Sequence, residues 1–134
     1  MNGKFRHKGT VLLVAIFVIA LLSAVVIGML QLNTEEIKLV HNQISAAHAL
    51  AVSEAGLNDA FSELRIDPNW SVGFSDKTFN GGSYTVTVSG SLPNLTVEST
   101  GTSSQGFVAR NRADVTISSS SPYIIRIDSL RINE

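Results

Sequence analysis

From Thr10 to Leu32 the chain carries no charged side chain, and a short basic stretch ending in Lys8-Gly9 stands directly before it. A helix crosses the hydrocarbon core of a bilayer with about 20 apolar residues, and this run is just long enough. The apolar core of a cleaved secretory signal is only about 7–15 residues and leads to a small-residue cleavage site. Gly28-Met29-Leu30-Gln31-Leu32 supplies no good site of that kind. The run instead passes straight into a helix-compatible amphipathic segment. The expectation is a membrane helix over residues 10–32 that keeps the chain attached. Ser23 and Gly28 within it are tolerated in membrane helices.

Basic residues set the orientation. Lys4, Arg6 and Lys8 precede the run, whereas the stretch after it has Glu35, Glu36 and only Lys38. The positive-inside rule places the N-terminus in the cytoplasm and everything after Leu32 outside. The whole chain has 134 residues and a net charge of −1, which becomes −4 once the three leader cations are set aside. No nucleic-acid surface is expected from such a balance. About 100 residues remain for one small core. There is no cysteine, so packing alone must hold that core, and cysteine catalysis, thiolate zinc and iron–sulfur clusters are excluded.

The helix is expected to continue past the membrane surface. Residues 33–64 contain no proline and only Gly56 as glycine. Ile37, Val40, Ile44, Ala47, Ala51, Leu57, Phe61 and Leu64 recur mostly at spacings of three, four or seven, a helical stripe. Ala46, Ala47, Ala49, Ala51, Ala55 and Ala60 make this half thin enough for close neighbours. A helix from Thr10 to Leu64 would be roughly 80 Å long, a rod suited to an assembly. Asp67-Pro68-Asn69 ends it, because proline cannot continue a helix.

Beyond Trp70 the pattern changes. Trp70 to Gly82 reads as a loop with Trp70, Val72, Phe74 and Phe79 as apolar anchors, and Asn80-Gly81 is a hairpin signal. Period-two alternation follows in Tyr84/Val86/Val88, in Leu95/Val97 and in Phe107/Ala109/Ala113/Val115/Ile117, with turns at residues 90–94, 101–106 and 118–122. Tyr123 to Ile132 is a fourth, weaker candidate. Three or four antiparallel strands need a cover for their apolar face, and the outer half of the helix is the cover available. The fold class expected is α+β: a long N-terminal helix, half membrane and half amphipathic, packed on a small antiparallel sheet.

Three stretches carry a family resemblance. His7-Lys8-Gly9-Thr10-Val11-Leu12-Leu13 resembles a prepilin peptidase site cut after Gly9. Ala49-Leu50-Ala51-Val52-Ser53-Glu54-Ala55-Gly56-Leu57 resembles a helix segment of PilX-like minor pilins. Gly81-Gly82-Ser83-Tyr84-Thr85-Val86, with Ser99-Thr100-Gly101-Thr102, resembles the strands of that family. In order, they span most of the chain, which resembles a type IV pilin-like protein, close to the PilX-like minor pilins and the minor pseudopilins of type II secretion. The resemblance implies cleavage after Gly9 and N-methylation at Thr10. It also implies assembly through the helix, with Val14, Glu54 and Gly56 as the positions of interest. Partners implied are the membrane, other pilin or pseudopilin subunits, a prepilin peptidase, an assembly ATPase, a platform protein and an outer-membrane channel. Three features depart from the family: Thr10 stands where the mature chain usually begins with Phe or Met, Val14 where an acid is usual, and the C-terminal cysteine pair is missing. A carboxylate in the bilayer costs about 2.5–3.5 kcal/mol on insertion scales. Pilins are thought to offset this with a neighbour's N-terminal amine. Val14 needs no such neighbour, which implies a tip or initiating subunit.

The remaining candidates are plain. His41 and His48 share a helix face about 10 Å apart, too far for one metal, and are read as solvated or interfacial. Glu54 is a helix-face charge, a partner for Arg110 or Arg112, or a subunit contact. Gly56 is read as a close-packing point between helix and sheet. Asn94-Leu95-Thr96 matches a glycosylation triplet, Asp67 and Asp76 lack the regular spacing of a calcium loop, and Ser118 to Ser121 have no base to activate them. No catalytic residue, metal or cofactor is expected. The organisation expected is a leader at 1–9, a membrane half-helix at 10–32, an amphipathic half-helix at 33–66 and an external loop-and-sheet domain at 67–134. The reading is a non-enzymatic pilin or pseudopilin subunit of the inner membrane, active in assembly, priming or tip display. The alternative is a single-pass protein with a small external β-rich binding domain and no filament.

Overall fold

A computed structural model describes residues 4–133, with side chains from Gly9 onward. The leader residues 1–3 and the side chains of Lys4, Arg6, His7 and Lys8 lie outside the described residues. One helix, α1, spans Lys4–Ile66, and five strands follow: β1 Phe74–Phe79, β2 Gly82–Ser91, β3 Asn94–Thr102, β4 Val108–Ile117 and β5 Ile125–Ile132. By packing the chain divides into Met1–His41 and Asn42–Glu134.

The first unit is helix alone. Every large apolar side chain between Val11 and Leu32 is 46–69% exposed. This helix is long and apolar enough to cross a membrane.

In the second unit α1 runs to Ile66, and its end is closed locally. Asp67 N–H donates to Glu63 O at 2.9 Å, and the Asp67 carboxylate accepts from Asn69 N–H at 2.9 Å, an Asx turn around buried Pro68. Arg65 in the last turn complements the helix dipole.

The sheet is an antiparallel meander in the order β1-β2-β3-β4-β5. Asn80 (φ 47°) and Gly81 (φ 79°) form the two-residue β1–β2 turn, in which both residues need positive φ. Leu92-Pro93 joins β2 to β3 with Ser91 opposite Asn94. The β3–β4 turn is held by Ser103, whose N–H donates to Phe107 O at 2.8 Å and whose Oγ accepts from Phe107 N–H at 3.1 Å.

The core lies between α1 and the middle strands. Val52, Leu57, Ala60 and Leu64 meet Tyr84 and Val86 of β2, Leu95 and Val97 of β3, and Ala113, Val115 and Ile117 of β4. Full burial of each large aliphatic contributes about 1.5–3 kcal/mol.

Three expectations change. The sheet has five strands rather than three or four, because Phe74–Phe79 pairs with β2 inside the stretch read as a loop. Of its apolar anchors, Trp70 and Phe74 pack on the core, with rings 5.1 Å apart, while Val72 is 89% exposed. The apolar helix stripe is not one buried face. Leu57 and Leu64 are buried and Phe61 packs against the core, but Ile37, Val40, Ile44, Ala47 and Ala51 are exposed. The sheet is met instead by Ala49, Val52, Ser53, Gly56, Leu57, Ala60 and Leu64.

Candidate functional site

The seam between the helix and the sheet is built from the smallest residues available. A Cβ on Gly101 would lie 2.3 Å from Ser53 N and 2.5 Å from Ala49 O, so the β3 backbone rests on the helix backbone. A Cβ on Gly56 would lie 2.3 Å from Ser99 Oγ and 2.9 Å from the Tyr84 ring. Gly56 is therefore the place where helix and sheet approach most closely from the helix side. Ser53 Oγ–H donates to Ser99 O at 2.8 Å. Ser53, Ser99, Ser103 and Asn111 are all buried, which makes this end of the seam polar and the Leu57–Leu64 end apolar.

A second cluster fastens the β1–β2 hairpin to the helix. Asp59 accepts from Tyr84 O–H at 2.5 Å and from Lys77, whose ammonium also stands 4.5 Å from the Phe74 ring centroid. The Lys77 bond, then the Tyr84 bond, hold the Asp59 carboxyl below its ordinary value. Burial first, then the bond to Asp59, push the Tyr84 phenol up. Asp59 holds Lys77 up. The cluster borders an open cleft of about 480 Å³ lined also by Ala55, Asn58 and Ser62. Both Asp59 oxygen-bound donors are engaged in holding the hairpin, an arrangement that clamps rather than transfers protons. His48 adds a third tie, its Nε2 2.9 Å from Asn80 O in the hairpin turn.

Gly9 and Thr10 are helical and exposed within α1, and a Cβ on Gly9 would meet nothing within 4 Å. Val14 is exposed on the apolar helix. Glu54 is exposed and, among the described residues, forms no ion pair. Arg110 pairs with Glu98 at 3.4 Å and Arg112 with Asp114 at 3.6 Å instead. These five positions are thus not gathered into one pocket. Among the described residues no group of three or more His, Asp or Glu is placed to hold a metal. Asp67 is engaged in its turn, and Ser118 Oγ accepts from Ile124 N–H at 2.8 Å to close the β4–β5 loop.

Gly101, Ser53 and the Asp59–Lys77–Tyr84 cluster escaped the sequence reading. Gly101 was visible only as a turn residue, and Ser53 as a polar interruption. A signal did exist: Ala49, Ser53, Gly56 and Ala60 are small residues spaced by three or four, a helix face suited to close approach.

No family model matches the chain, and no curated protein or solved structure is similar to it.

Proposed function

We propose that the chain is a minor pilin or pseudopilin subunit, held in the membrane by the apolar helix and working through assembly, priming or tip display. The observation that carries this reading is the unbroken helix whose apolar side chains from Val11 to Leu32 are all exposed. So much apolar surface in water is costly, at about 25 cal/mol per Å², and a bilayer or a bundle of like helices removes it. A sheet carried on the same helix by a backbone-to-backbone seam supports the reading, because the helix then brings its own rigid head. Inner-membrane placement with the N-terminus in the cytoplasm, cleavage after Gly9, methylation of Thr10 and partnership with other pilins rest on the resemblance and on the basic leader.

The test is the mass and N-terminal sequence of the chain from membranes of cells with and without a prepilin peptidase. A mature chain beginning at Thr10 only when the peptidase is present is the expected result. An intact Met1 start in both strains would sink the proposal and leave a single-pass membrane protein with an external β-rich domain.

A further inference from the structure

The apolar side of β5 is uncovered. Ile125, Ile127, Leu130 and Ile132 stand opposite Ile117, Val115, Ala113 and Asn111 of β4, so they share the face on which the helix lies. The β4 residues are buried under that helix, but it stops short of β5: Ile127, Leu130 and Ile132 are 50%, 53% and 51% exposed. β5 is also the last strand of the sheet, so its outer backbone groups are unpaired within it. The opposite edge is different. β1 shifts register between Phe74 and Lys77 and turns Asp76 to φ 47°, features that blunt an edge.

The helix carries a second bare surface. Ile44 is 61% exposed, and Ala47 and Ala51 are exposed with it. At 3.6 residues per turn they lie about half a turn from Ala49, Ser53 and Gly56, the residues against the sheet. The two bare surfaces cannot meet within one chain, because one of them points away from the sheet. Their charges are complementary. Glu54, one turn beyond Ala51, is exposed without an ion pair among the described residues, while β5 carries Arg126 and Arg131 against the single Asp128.

We propose that the apolar side of β5 in one copy seats the outer helix face around Ile44, Ala47 and Ala51 of a second copy. The proposal rests on the pilin reading for the common orientation of the copies. Ala47 and Ala51 let the strand approach closely, Ile44 packs beside Ile127 and Leu130, and Glu54 meets the arginine-bearing rim. The contact joins two different surfaces, so each copy keeps one of each free and the association continues head to tail.

The lack of cysteine makes the test clean. Full-length chain carrying both Ala47→Cys and Leu130→Cys is oxidised in membranes and run without reductant. A ladder of dimers, trimers and higher species that collapses on reduction is expected, with no ladder from either single variant. Co-expression of the two single variants is expected to give dimers alone. Adding Ile127→Asp to the double variant is expected to abolish the ladder. Dimers from Ala47→Cys alone would show helix facing helix, dimers from Leu130→Cys alone would show strand facing strand, and no product would show that a second copy does not cover the strand. Each of these overturns the proposal. N-terminal analysis of the same samples separates the two readings: processing at Gly9 without a ladder sinks only this contact, and a ladder without processing sinks only the pilin reading.

Discussion

The Ser53 hydroxyl donates to the Ser99 carbonyl across 2.8 Å, and both residues are fully buried. A helix could slide along an apolar sheet at little cost. A buried hydroxyl that must find one carbonyl fixes its position, since leaving such a group unpaired costs about 1–3 kcal/mol. The nearby Gly101 backbone adds a steric stop at Ser53 N and Ala49 O.

Gly101→Ala forces a methyl group against two helix backbone atoms that cannot rotate away. A loss of about 1–3 kcal/mol or more is expected, read as a lower Tm of the full chain in detergent. Gly28→Ala, where a Cβ would meet nothing within 4 Å, is the control and leaves Tm unchanged or slightly higher. Equal melting of both variants would refute the tight seam.

Ser53→Ala removes the hydroxyl while keeping the small volume. A loss of about 1 kcal/mol is expected, smaller than that of Gly101→Ala in the same melts. The reverse order would mean that the hydrogen bond, not the steric stop, dominates the seam.

The Asp59 cluster predicts an acid limb of stability. Lys77 and then Tyr84 depress the Asp59 carboxyl. Thr96 then Ser129 do the same for Asp114, and Thr116 then Arg126 for Asp128. A carboxyl depressed in the fold stabilises above its unfolded pKa, and that stability is lost as pH falls through the folded value. Tm is therefore expected to hold near neutrality and to fall below about pH 4. Asp59→Asn lowers the plateau and flattens the limb. Superimposable profiles for the two proteins would show that Asp59 does not contribute. At the alkaline end the sign reverses: the raised Tyr84 and Lys77 stabilise below their unfolded values, and that stability fades as pH climbs through the folded ones.

Gly81→Val places a β-branched side chain at φ 79° in the β1–β2 turn. A cost of about 1–2 kcal/mol is expected from the left-handed conformation. Amide exchange should quicken first in Phe74–Phe79. Uniform quickening across all five strands would mean that the hairpin does not open by itself.

Leu22→Arg puts a guanidinium in the middle of the apolar helix, at about 2.5–3.5 kcal/mol on insertion scales. The fraction of chain resisting alkaline extraction from membranes is expected to drop. An unchanged fraction would argue against a bilayer around this segment.

Much of this architecture is written in periodicity. The apolar run, the helix stop at Asp67-Pro68, the Asn80-Gly81 turn and the alternation of β2 to β5 were all legible. β1 was not, because Phe74-Ser75-Asp76-Lys77-Thr78-Phe79 does not alternate and contains a residue in a left-handed conformation. The helix face was misread for a different reason. Hydropathy favours Ile44 over Ser53, yet the sheet opposite offers Ser99, Gly101 and Asn111, against which only small or polar residues fit. A sequence profile weighs each residue against water, whereas the seam weighs it against its partner. The Asp59–Lys77–Tyr84 cluster joins residues from three elements and leaves no local trace at all.

Because every strand pairs with the one just before it in sequence, β1 through β5 form without a strand ever waiting for a distant partner. Such local pairing favours rapid folding. A chain emerging N-terminus first delivers the helix seam, then each hairpin in turn, so the head can be built in the order it is delivered. The last strand to arrive closes no barrel and fills no gap; the four-strand sheet beneath the helix is already complete when β5 is added.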